Sequence, residues 1–389
     1  YWRLETEKPD IPDTYQDIVT LVRSRLDDAV RAHLVSDVPV GAFLSGGIDS
    51  TAIVALMARQ THHPVETFSL GFQSKGEVHD ERNVAAEAAA IMGCTHRALE
   101  ISEDDIKNAF PHLIQSLDSP SVDGFNTYFV SRLAAQHVKV ALSGLGGDEL
   151  FGGYGFFKPK PGAALVSPFL GAVNRVAALL PSPLNDKIRR RLSAWNAHGV
   201  ERLSLARLFN SDESLHQFLS FPFNSDAALE SSPSAIDDFQ RVSAAELNGY
   251  LRNTLLRDGD VMSMAHSLEV RPILLDHLFV ETVYAIPAWA KQHGAGAKPL
   301  FVDAVRDVLP ETVLSRPKRG FDMPFAHWMN APLHEHALSA FNSKAAAQLL
   351  KNNTARRFQN AAKTKTLTRA HWPWFILLSW LEQTQVRCD

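Results

Sequence analysis

Val38-Pro39-Val40-Gly41-Ala42-Phe43-Leu44-Ser45-Gly46-Gly47-Ile48-Asp49-Ser50-Thr51 is the stretch whose reading decides the fold. Its first seven residues are a short apolar run of buried-strand character, and residues 51–60 read as a helix. Between them lie two glycines flanked by serines. A strand that runs through glycines into a helix can wrap a phosphate, because glycines permit positive φ and close approach, so that backbone N–H groups turn inward. A helix starting at Asp49 adds its dipole and its free amides. Ser45 and Ser50 supply hydroxyl donors. Asp49 has the wrong charge to touch phosphate and is best explained as a magnesium ligand. The stretch is neither G-x-x-x-x-G-K-S/T nor G-x-G-x-x-G. A bare Ser-Gly-Gly would read as a strand-to-helix turn with Asp49 as N-cap; the full hexapeptide after an apolar strand points to phosphate.

Working outward, residues 13–33 carry Ile18, Leu21, Val22, Leu26, Ala29 and Val30 at helical spacing. Residues 65–72, 96–101 and 138–142 read as strands, and 80–92, the stretch up to about 117, and 126–136 as helices. This alternation predicts an α/β fold, a parallel twisted sheet with helices on both faces, in which ligands sit beyond the carboxyl ends of the strands. A second glycine motif, Ser143-Gly144-Leu145-Gly146-Gly147-Asp148-Glu149-Leu150-Phe151-Gly152-Gly153-Tyr154, again follows a strand. It becomes a candidate for the same crevice. Asp148 and Glu149 are placed to reach a metal shared with Asp49, since two carboxylates completed by phosphate oxygens and waters suit Mg2+. Taken alone, the motif is a glycine-rich hinge before a helix capped by Asp148.

After Tyr154 the texture changes. Pro159, Pro161, Pro168, Pro181 and Pro183 interrupt the chain, Lys187, Arg189, Arg190 and Arg191 form a basic cluster, and from about 197 the patterns are mostly helical. The expected organisation is a linker remnant at 1–12, an α/β core at 13–155 and a mainly α-helical region at 156–389. Residues 344–368, polar and basic, are expected to be a mobile surface segment.

Of the 389 residues, 45% are hydrophobic and 21% charged, as in ordinary globular proteins, and the net charge of −4 gives no electrostatic case for nucleic acid or an anionic membrane. The basic clusters lack interleaved aromatics and read as solvated surface. Cys94 and Cys388 have no metal-ligand spacing, which suggests a reducing, cytoplasmic setting. Neither a transmembrane run nor a signal peptide is visible. The chain begins Tyr1-Trp2-Arg3-Leu4, without an initiator Met.

The two glycine motifs resemble the synthetase domain of glutamine-dependent asparagine synthetases, in the ATP-pyrophosphatase superfamily. Residues 256–271, from Leu256-Arg257-Asp258-Gly259-Asp260 to Ser267-Leu268-Glu269-Val270-Arg271, resemble the family's helical signature, which Leu275-Asp276 continues. Lys298 and Leu309-Pro310-Glu311 fit the next segment. Ser315-Arg316-Pro317-Lys318-Arg319-Gly320-Phe321 resembles the basic loop near the active site, and the likeness runs from about 13 to about 330. The resemblance implies that aspartate's side-chain carboxylate attacks the α-phosphate of ATP, pyrophosphate leaves, and ammonia displaces AMP from the β-aspartyl-adenylate. It implies that Ser45, Gly46, Gly47, Asp49 and Ser50 hold the pyrophosphate and that Leu44, Leu70, Ser143 and Gly144 line the adenosine site. Asp49 and Asp148 would hold Mg2+, and Lys318, with Asp148 and Glu149, would serve catalysis. Residues 123–127 match the amino-acid pocket. Arg271 reads equally as a structural ion-pair partner and as a substrate ligand.

Leu145 stands where many members carry an acid, so Glu149 or another acid substitutes, the substrate differs from aspartate, or activity is impaired. The glutaminase domain, with its N-terminal cysteine, is absent from this chain and is expected before Tyr1 or in trans. The partners expected are therefore small molecules (aspartate or another carboxylate, and ammonia) and a glutaminase domain, with a homodimer left open. Two alternatives stand beside asparagine synthesis: a related ligase acting on another carboxylate, such as a sugar acid, and an ATP-binding protein impaired in catalysis.

Overall fold

The computed structural model describes residues 4, 9–72, 81–157, 215, 218–221, 237–316 and 323–385. Helix α1, Tyr15–His33, is capped by Thr14, whose hydroxyl accepts from the Asp17 N–H, and buries Ile18, Val22, Leu26, Ala29 and Val30 along one stripe. Strand β1, Val40–Phe43, leads into α2, Ile48–Gln60. Then follow β2, Glu66–Phe72; α3, Arg82–Ile91; β3, Thr95–Ile101; α4, Glu103–Ser116; α5, Phe125–Ala134; β4, Val140–Ser143; and α6, Gly147–Phe151.

All pairings are parallel, and the strand order is β3-β2-β1-β4-β5. Ala42 registers with Thr67 on one side and Leu142 on the other. From β1 the chain winds outward through β2 and β3, then returns to lay β4 on the opposite side. The order therefore reverses between β1 and β4, and the two glycine motifs leave the sheet there, side by side. Adjacent residues face opposite cores: Ala141 joins one hydrophobic cluster and Leu142 the other. One cluster packs β2 and β3 side chains with α4, α5 and the C-terminal helices; the other packs β1 with α1, α2 and the helices His277–Ala285 and Pro299–Val305. The parallel sheet covered on both faces is thus as expected from the alternating pattern.

Strand β5, Glu269–Pro272, comes from beyond residue 155 and registers Leu142 with Arg271. The sheet therefore draws on both segments that the sequence texture separates. Arg271 is structural: it bonds Glu269 at 2.6 Å and the carbonyls of His33 and Val35 at 2.7 and 2.9 Å, tying β5 to the end of α1. Asp276 caps the helix His277–Ala285 through the amides of Leu278 and Phe279. Residues 344–368 correct an expectation. They form helices Lys344–Leu349 and Asn352–Lys363, whose Ala346, Leu349, Ala355, Phe358 and Ala362 are buried in the first cluster. The charge of this segment lies on the outer face, which is why composition made it look detached.

Candidate active site

The first loop closes on itself. Ser45 Oγ and Ser50 Oγ lie 3.0 Å apart, the Ser45 N–H donates to Ser50 Oγ at 3.2 Å, and the Gly47 N–H donates to Ser45 Oγ at 3.3 Å. Gly46 supplies the positive φ, 74°, that turns the chain. Gly47, not Asp49, is the N-cap residue of α2, and no side chain caps it. The simple turn with Asp49 as cap is therefore not what forms.

The second loop lies directly against the first. A Cβ on Gly144 would stand 2.9 Å from the Ser50 nitrogen, and one on Gly147 would stand 2.8 Å from the Asp49 carboxylate. Only residues without side chains let the two loops approach this closely. The approach brings Asp49 and Asp148 together, although 99 residues separate them in the chain (148 − 49).

Between these carboxylates sits Lys298. Its ammonium pairs with Asp148 at 2.8 Å and also with Asp49, and its side chain is only 4% exposed. Burial works against the charge, but the two carboxylates outweigh it and hold this lysine above its ordinary pKa. Lys298 also adopts a left-handed backbone, φ 54° and ψ 50°, just ahead of Pro299. That conformation is costly for a residue with a Cβ, and costly backbone of this kind concentrates at functional sites.

The two aspartates fit a divalent cation. They already converge on one positive charge, and a pair of carboxylates completed by phosphate oxygens and water is a set that Mg2+ accepts. Among the described residues no group of three or more His, Cys, Asp or Glu is arranged to hold a metal ion.

Both loops open on a cavity of about 1230 Å³. Leu44, Ser45, Gly46, Gly47, Asp49, Ser50, Leu70, Ser143, Gly144 and Asp148 all border it, as do Asp123 and Thr127 from the expected amino-acid pocket. Leu145 borders it too, leaving an apolar surface where an acid was expected. Glu149 does not. Its side chain is buried behind the wall and accepts a hydrogen bond at 2.7 Å from the hydroxyl of Tyr154, a residue that does face the cavity. Burial, opposed by the Tyr154 bond and reinforced by Asp148 and Glu246, pushes Glu149 up to about 7. Of the two, Tyr154 borders the cavity and Glu149 stands behind it. Lys318 lies outside the described residues; Arg316 and Met323, on either side of its segment, both border the cavity.

The far wall is acidic. Asp123 accepts from Tyr250 at 2.5 Å, and Asp258 accepts from Ser121 at 2.5 Å. Burial, opposed by the Ser121 bond and reinforced by Asp123 and Asp118, raises Asp258 to about 7. Tyr250 and the cavity-lining Leu255 and Leu256 stand on a π-helical stretch, Leu247–Leu256, set between the α-helical stretches Asp238–Glu246 and Arg257–Met264. The wider turn shifts which side chains face the sheet, a device frequent at functional sites.

With this geometry in place, comparison with known proteins is decisive. The asparagine synthase family model matches residues 21–382. The chain belongs to the asparagine synthase family. It is 31% identical over 374 residues to asparagine synthetase (glutamine-hydrolyzing) 1 of Bacillus subtilis, covering 90% of this chain and 58% of that protein. It is 33% identical over 376 residues to a putative asparagine synthetase (glutamine-hydrolyzing) of Mycobacterium tuberculosis, covering 91% and 56%. Asparagine synthetase B (glutamine-hydrolyzing) of Escherichia coli is 31% identical over 209 residues, 49% of this chain and 36% of that protein. The chain thus spans somewhat over half the length of the first two relatives.

Within this family member, three residues that border the cavity were not named as site residues from the sequence. Lys298 was placed only in a segment; the small-residue run Gly294-Ala295-Gly296-Ala297 before it, leading into Lys298-Pro299, was the available signal. Tyr154 was visible as the end of the second motif. Asp258 stood within the 256–271 signature, but its burial comes from packing of its helix against α5 and the Ser121 loop.

Proposed function

We propose that the chain is the synthetase part of an ATP-dependent asparagine synthetase that forms a carbon–nitrogen bond with release of AMP and pyrophosphate. The observation that carries this reading is the convergence of Asp49, Asp148 and Lys298 where two glycine loops meet at the sheet's switch point. The loop amides, Ser45 and Ser50 cradle the triphosphate, and Leu44, Leu70, Ser143 and Gly144 line the adenosine end. Asp49 and Asp148 would hold Mg2+, which offsets the charge of the phosphates when bound. Lys298, now paired with both carboxylates, would turn its ammonium to the phosphate oxygens, and Lys318 adds a second positive charge. The acceptor carboxylate oxygen attacks the α-phosphorus, and the bond to pyrophosphate breaks. Ammonia then attacks the acyl carbon, AMP leaves, and the proton lost by the nitrogen goes to Asp258, a carboxylate that borders the cavity. Glu149 acts as a positioning residue, fixing Tyr154. Ammonia is supplied by a glutaminase domain in cis or in trans.

Leu145 favours a second reading, in which the acceptor is another carboxylate, such as a sugar acid. Pyrophosphate release with ATP, Mg2+ and ammonia across a panel of acids separates the two. Stimulation by aspartate is expected; stimulation only by other acids would transfer the assignment to the second reading. ATP–pyrophosphate exchange absent with every acid would remove both.

A further inference from the structure

A second cavity, of about 280 Å³, lies behind the first and shares Lys298 and Gly152 with it. Its remaining wall is apolar and aromatic, made by Phe151, Phe157 and Phe239, and into it project Lys291 and Gln292. Lys291 is 1% exposed, and its Nζ has no hydrogen-bond partner among the described residues. Its ammonium lies over two ring faces, Phe239 at 5.0 Å and Tyr284 at 5.9 Å from the ring centroids, and the charge of Asp237 attracts it as well. Cation–π contact offsets only part of the cost of burying an ammonium. Gln292 makes one long bond, 3.4 Å, to the Phe157 carbonyl, so its amide is weakly committed.

A buried ammonium without a hydrogen-bond partner in an aromatic cavity of this size is complementary to one negative charge attached to an apolar body. A dianion such as inorganic phosphate would leave charge unmatched, since Lys298 is already committed to Asp49 and Asp148. We propose that this cavity binds a small organic monocarboxylate, its anionic head on Lys291 and its body against Phe151, Phe157 and Phe239.

Burial, only partly opposed by Asp237, lowers Lys291 to about 7, so ligand binding should draw a proton onto it. The other groups facing it are Tyr284, Asp237, which also accepts from the Gln240 and Ala288 amides, and the paired Lys298.

Calorimetric titration of the whole chain with benzoate tests the site. Saturable binding is expected at about pH 6, weaker by tenfold or more at about pH 9, where the amine is neutral. Lys291→Met should abolish it. Equal affinity in the variant, or no binding by the wild type, would overturn the proposal. Should the variant fail to fold, NMR of ε-carbon-labelled lysine in the wild type decides: benzoate should raise the Lys291 titration midpoint, and an unmoved midpoint refutes the site.

Discussion

Lys298 is the residue on which the site's charge balance turns. Lys298→Met leaves two carboxylates facing each other without a cation. Breaking a buried ion pair costs about 3–5 kcal/mol, and the partial exposure of Asp49 and Asp148 should place this change at roughly 2–4 kcal/mol. The melting temperature should fall accordingly, and Mg2+ should recover more of it in the variant than it adds to the wild type. An equal Mg2+ effect on both would show that the carboxylates do not form the cation seat. Asp258 gives a pH signature. Its folded pKa, about 7, lies above the ordinary 3.8, so the stability it contributes is full below about 3.8 and is lost as pH rises through about 7. Asp258→Asn should flatten that decline, by an amount on the order of a few kcal/mol, in denaturation midpoints measured across this range. Unchanged slopes would mean that the carboxyl titrates normally.

At the level of elements, the contact between the two glycine loops holds the site together. Gly144→Ala would place a methyl 2.9 Å from the Ser50 nitrogen, which only separation of the loops can relieve. Equilibrium dialysis with ATP should show affinity reduced by tenfold or more, with the circular dichroism spectrum retained. If the affinity were unchanged, loop contact would not hold the site together. Much of this scale was legible beforehand. The strands and helices around 40–143 follow from apolar runs and glycine breaks. The π-helical stretch 247–256 was not legible, because its geometry answers to packing and to the Tyr250–Asp123 bond rather than to any local residue pattern.

Over the whole molecule, the described residues before and after residue 155 share both hydrophobic clusters. One hydrophobic cluster joins Phe68 and Phe110 to Trp372 and Phe375, and the other joins Ile18 to Phe301, so each face of the sheet is closed by later sequence. Residues 13–155 expressed alone would expose both faces and leave β4 as an open edge. Such a fragment should bind hydrophobic dye and lack near-ultraviolet dichroism. A cooperative melt from it would mean that the α/β segment is an independent domain. No described helix is long and apolar enough to cross a membrane.

What the sequence by itself determined is local in origin: the parallel sheet, the two glycine loops that border the cavity, Asp49 and Asp148 as the carboxylates beside them, and Leu145 among them. Hydrophobic period and glycine placement act over a few neighbouring residues, so they can be read in one dimension. The tertiary structure alone decided that Lys298 completes the aspartate pair, that Tyr154 rather than Glu149 meets the cavity, and that β5 closes the sheet from beyond residue 155. Each depends on burial and on charges brought together from distant segments, and a side chain's environment is set by its neighbours in space.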